Sequence, residues 1–230
     1  MSRAISTTLA VSVLIMACLA QARADSINLS TGLDALGNLQ TADGAVDANW
    51  SVVGGGAAYV VASNDPNWYS GWAPNGSGST NGQGSDWIAK TTGQENPGPA
   101  PYSFSTTFSL AGYNLATVSL TGTWCIDDDG TVFLNGTPVS VGGEGFDNYT
   151  TTTLLGTVDV LAGSGLFNQE SNVLTIEMQS NDQSRDGVRF DGSVQGELSA
   201  VPSPTPLVSM ASLLPVVAGM VFLRRRRAMA

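Results

Sequence analysis

From residue 25 to residue 199 the apolar residues come in short runs rich in Thr, Val and aromatic side chains, each closed by Gly, Asn, Asp or Pro. Few of these runs keep the three-to-four-residue spacing that gives a helix one apolar face, and several alternate with the period of two of a half-buried strand. With 27 Gly and 10 Pro in 230 residues, turn chemistry is dense enough to end an element every few positions. Candidate strands are 26–29, 49–53, 58–62, 102–110, 117–126, 131–134, 138–141, 149–155, 173–179 and 188–194. Asn135-Gly136 lies between two of them and favours the positive φ angles of a tight hairpin. The run from Val173 to Met178 alternates only in part, which predicts partial cover on both faces. Many short strands joined by turns make an all-β, jelly-roll-like antiparallel β-sandwich the expected fold. The stretch 73–99, rich in Gly, Ser, Asn and Gln, reads as a long surface loop pinned by Trp87-Ile88.

Function classes are narrowed by a missing residue and by the placement of charge. The chain has no histidine, which excludes a Ser-His-Asp triad, a Cys-His dyad, an H-E-x-x-H zinc helix and a His-ligated haem. All 19 acidic residues lie at Asp25 or later, and between there and Pro206 only Lys90, Arg185 and Arg189 are basic, a net charge of −16. Such a body repels phosphate backbones, so nucleic acid is not an expected partner. Cys125, beside Trp124 in an apolar strand pattern, reads as a buried, inert thiol.

The two ends read as addresses. Arg3 precedes an apolar run over 4–20, and Ala22-Arg23-Ala24 sets small residues before a cleavage point at Asp25. Residues 1–24 are therefore an expected secretory signal peptide. Lipid attachment at Cys18 is the poorer fit, because Met16 suits a lipoprotein box badly. Residues 206–223 carry no charge and end on Arg224, Arg225, Arg226 and Arg227. As a helix they extend about 27 Å, enough to span a bilayer, with a kink at Pro215 and the arginines on the cytoplasmic side.

Val201-Pro202-Ser203-Pro204, followed by the apolar helix and the arginine cluster, resembles a PEP-CTERM sorting signal, with Ser203 where that family most often has glutamate. The resemblance implies export by a Gram-negative bacterium that forms exopolysaccharide, transient anchoring in the inner membrane, and recognition by an exosortase-like processing enzyme. The domain plan is then a signal peptide over 1–24, a β-sandwich over 25–200 and a sorting signal over 201–230. A second resemblance lies in the body. The segment ATVSLTGTWCIDDDGTVFLNG over 116–136 is similar to the strand, acidic turn and strand of galactose-binding-like β-sandwiches. Asn172-Val173-Leu174-Thr175-Ile176, with Asn181 beyond, is similar to another strand of that fold. Together with Trp50, Trp87-Ile88, Tyr102-Ser103-Phe104 and Gly187-Val188-Arg189, these segments resemble the body of many PEP-CTERM proteins. The resemblance bears on fold more than on ligand.

Two clusters are candidate sites. On a strand, Asp127 and Asp129 share a face, and two carboxylates there suit Ca²⁺ or an acid/base pair on a sugar. An exposed acidic turn is the plainer and preferred reading. Trp68, Tyr69 and Trp72 suit a flat platform against sugar rings, with plugging of one end of the sandwich as the preferred alternative. Arg185 and Arg189 are expected to pair with local aspartates such as Asp186 or Asp191. The resulting expectation is a non-enzymatic, exported cell-surface or exopolysaccharide-matrix protein. A carbohydrate-binding module is the alternative, with Ca²⁺ the one cofactor left open, and a glycan hydrolase comes last. Expected partners are the exosortase-like enzyme, the export machinery, exopolysaccharide and, through the C-terminal helix before processing, the membrane.

Overall fold

Alternating burial decides which runs become strands. A computed structural model of the chain describes residues 24–40, 42–61, 84–92, 101–126, 129–142, 156–179 and 186–199. The strands are β1 (Ala24–Asn28), β2 (Val46–Val52), β3 (Gly56–Val61), β4 (Trp87–Ala89), β5 (Tyr102–Phe108) and β6 (Ser119–Ile126). They continue with β7 (Asp129–Leu134), β8 (Thr137–Gly142), β9 (Gly156–Val160), β10 (Asn172–Gln179) and β11 (Gly187–Glu197). One short 3-10 turn, Leu115–Thr117, is the sole helical element among the described residues. The body is all-β, and every strand pair is antiparallel.

The strands hydrogen-bond in the order β8-β7-β10-β5-β2-β3-β4-β11-β6-β9, with β1 beside β11. Strands from the two ends of this ladder face one another across a shared core, as in a sandwich. Phe104, Leu134 and Ile176 from the first five strands share one core with Ile88, Trp124, Phe190 and Val194 from the others. β11 is the last strand in sequence among the described residues, yet central in its layer. It pairs with β6 along one side, and with β4 and then β1 along the other.

Local chemistry explains several details. Asn135 (φ 51°) and Gly136 (φ 80°) form the tight turn between β7 and β8, as their sequence predicts. The Asn135 carboxamide also donates to the Leu166 carbonyl (2.8 Å) and to Asn172 Oδ1 (2.9 Å), and accepts from the Val173 N–H (2.9 Å). Gly122 and Gly192 are cross-strand partners, and the Phe190 ring lies over both. A Cβ at either position would come 2.7 Å from that ring. β10 alternates more cleanly than its sequence suggests: Leu174, Ile176 and Met178 are fully buried, while Val173, Thr175 and Glu177 are half-buried.

Two expectations need correction. The stretch 73–99 is not loop throughout, because Trp87–Ala89 is a buried strand held between β3 and β11. Three residues of strand inside a Gly- and Ser-rich run carry too little pattern to be seen without their neighbours. β9 begins where the expected strand 149–155 ends; that expected strand lies outside the described residues.

Candidate functional site

Buried polar groups gather where β4 meets β11 and the chain leaving β1. Thr31 bridges the two: its N–H donates to the Phe190 carbonyl (2.9 Å), its carbonyl accepts from the Asp86 N–H (2.9 Å), and its hydroxyl donates to the Asp86 carbonyl (2.6 Å). The Asp86 carboxylate is held by the Trp87 N–H at 2.9 Å. Asp86 is 2% exposed. Burial pushes its carboxyl up to about 6, against the Trp87 hydrogen bond and the Arg189 charge, which both lower it. Arg189 Nε donates to the buried Ser85 hydroxyl at 2.7 Å. Arg189 also faces Cys125 across the β11–β6 pair, where burial pushes the thiol up to about 12 in spite of the guanidinium.

Asp47, also buried, organises the irregular part of β2. Its carboxylate accepts from the N–H groups of Gly32 (2.6 Å), Asn49 (2.8 Å) and Trp50 (2.8 Å). Burial still raises its carboxyl, because those bonds only partly replace water. At the far end of β4, Lys90 Nζ stands 4.6 Å over the Tyr102 ring, and the Tyr102 hydroxyl donates to buried Asp186 at 3.2 Å. These contacts hold the two ends of the 84–92 segment in place. Ser85, Asp47 and Asp86 carry no sequence motif, since an aspartate in a polar run looks the same whether it is buried or solvated.

The expected site residues divide by position. Asp129 opens β7, half-buried and opposite Gln179. Asp127, Trp68, Tyr69, Trp72 and Arg185 lie outside the described residues, as do residues 1–23 and the whole of 201–230, including Val201 to Pro204 and Arg224 to Arg227. Among the described residues no group of three or more His, Cys, Asp or Glu is placed to hold a metal ion. Among them, too, no helix is long and apolar enough to cross a membrane. Asp191 accepts from Ser30 Oγ at 3.2 Å, and Cys125 is free and buried. The connection 62–83 leaves the sheet after Val61 and returns just before Trp87, and those two residues are register partners in β3 and β4.

No protein-family model matches the chain, and no curated protein does. Solved structures similar to it include two carbohydrate-binding modules. One is a family 35 carbohydrate-binding module from an environmental isolate, 17% identical, with a TM-score of 0.31 over 56% of this chain and 86% of that one. The other is the CBM36-1 domain of a multidomain xylanase from the hindgut metagenome of Trinervitermes trinervoides. It is 11% identical, with a TM-score of 0.30 over 66% of this chain and 99% of that one.

Proposed function

We propose that this chain is an exported bacterial cell-surface or exopolysaccharide-matrix protein whose jelly-roll-like sandwich holds polysaccharide without cutting it. The observation that carries the polysaccharide reading is the sequence cluster Trp68, Tyr69 and Trp72, set apart from the tryptophans of the described core. Trp50, Trp87 and Trp124 are buried, and the Trp50 indole donates inward to the Leu29 carbonyl at 2.9 Å. The other two, Trp68 and Trp72, stand with Tyr69 in a connection that starts and finishes at neighbouring positions on the sheet. Aromatic residues this close in sequence suit the C–H faces of sugar rings. Asp127 and Asp129 are the residues offered for an assisting Ca²⁺.

The address rests on sequence. Residues 1–24 act as a signal peptide, Val201 to Pro204 as the sorting motif, 206–223 as the transient membrane helix and Arg224 to Arg227 as its cytoplasmic stop. An exosortase-like enzyme then cuts near the prolines, which keep the boundary extended and out of the helix.

Retention of the full-length protein on immobilised neutral polysaccharides, with and without chelator, tests the binding. Wild type should be retained, and a W68A/W72A variant should elute markedly earlier. Equal retention of both would remove Trp68 and Trp72 from the binding, and elution of wild type with the void would return the chain to a purely structural matrix role. Intact mass of the protein from its native cells tests the address. A mature species that still carries Arg224 to Arg227 would sink the sorting reading.

A further inference from the structure

The two layers of the sandwich differ on their outer sides. On the outer side of the β4-β11-β6 layer Trp87, Cys125, Asp191 and Ser193 are buried, and Thr121, Thr123 and Arg189 beside them are half-buried. Outward positions of the β7-β10-β5-β2 layer are half-buried or exposed. Thr131, Glu177 and Ser103 stand in one cross-strand row and are half-buried. Phe133, Thr175, Ser105 and Ser51 stand in the next. Neighbouring groups in such rows are about 4.8 Å apart, a spacing on the scale of one sugar residue.

Two features of this face point to a ligand. Phe133, half-buried at the β7 end of its row, belongs to neither core cluster, so its ring does no packing in the interior. Val141, cross-strand from Thr131, is 70% exposed. The charges supply the identity. Glu177 lies between two hydroxyl residues, Asp129 opens the same face opposite Gln179, and no cation stands on these rows in a body of charge −16.

We infer that the outer face of the β7-β10-β5-β2 layer binds a cationic amino-sugar polysaccharide, with a sugar ring against Phe133 and a ring ammonium on Glu177. The hydroxyls of Thr131, Thr175 and Ser105 exchange hydrogen bonds with the sugar hydroxyls. An acidic polysaccharide is repelled from this face, and a neutral one gains the stacking without the charge-assisted hydrogen bond. The inference rests on the reading of the chain as polysaccharide-associated, but it uses a different surface from Trp68 and Trp72.

The test is titration of the purified full-length protein in detergent micelles with a glucosamine oligomer and with its N-acetylated counterpart. The glucosamine oligomer should bind at least about tenfold more tightly, and added salt should narrow the gap. E177Q and F133A should each weaken glucosamine binding about tenfold. Their unfolding midpoints should stay close to wild type, because both side chains lie on the outer face. D159N, an acid removed elsewhere on the surface, should leave binding unchanged, as should W68A/W72A. Full affinity in either E177Q or F133A overturns the inference, as does equal binding of the two oligomers. So does an equal loss in D159N, which would mean diffuse attraction to the whole acidic body. Failure of W68A/W72A to alter retention on neutral polysaccharides bears on the loop reading alone.

Discussion

The indole Nε1 of Trp124 donates to the hydroxyl of Ser140 across 2.9 Å, and this bond ties β6 to β8, strands near opposite ends of the ladder. β8 and β9 lie side by side there, so the folded sheet nearly closes on itself. S140A removes this acceptor from a buried indole. It should lower unfolding free energy by about 1–2 kcal/mol in denaturant titration. An unchanged midpoint would show that the closure does not depend on this contact.

The Gly122–Gly192 slot under Phe190 should tolerate no side chain. At Gly192 an added methyl meets the Thr121 carbonyl at 2.6 Å as well as the ring, and a backbone oxygen cannot rotate away. G192A should cost about 1–3 kcal/mol in denaturant titration, and since Gly192 has no positive φ the loss is steric. An unchanged midpoint would show that the ring and strand yield to the added methyl.

Asn135 combines a turn conformation with a side-chain network, and two variants separate these roles. N135G keeps the positive φ but deletes three side-chain bonds, so a loss of about 2 kcal/mol measures the network. N135D sets a carboxylate against the Leu166 carbonyl and Asn172 Oδ1, and should be worse. Differential scanning calorimetry of the pair decides, and N135D as stable as N135G would remove the donor role.

Asp86 makes the pH dependence predictable. Its folded carboxyl sits at about 6 against 3.8 for the ordinary group, so the folded state holds its proton more tightly. The contribution is fully present below 3.8 and is lost as pH rises through about 6. D86N should therefore flatten that part of the stability profile and raise the midpoint at neutral pH relative to wild type. Parallel profiles for the two proteins from pH 4 to pH 7 would contradict the assignment.

How much of this was legible in the sequence depends on how local each signal is. Asn135-Gly136 and the apolar alternation around Trp124 need only their immediate neighbours, and both are found where the sequence sets them. Trp87–Ala89 is strand because Val60 and Val188 flank Ile88 on either side, and nothing within 73–99 carries that information. Asp47 and Asp86 are ordinary turn residues by composition. Only the arrival of Gly32 and Thr31 from elsewhere in the chain buries them. Arg189 also meets Ser85 and the field of Asp86, both distant in sequence, a contact that no local pattern announces.

The central place of β11 has a consequence for the order of events. Its eight-residue pairing with β6 and its ladders to β4 and β1 all wait for the last strand to be synthesised. Ala24 cannot meet Glu197, nor Thr31 meet Phe190, until nearly the whole body is present. Contacts of such long sequence separation make folding slow, and a growing chain that lacks them has no complete sheet to settle into. In such a topology the sandwich closes late, after its central strand arrives.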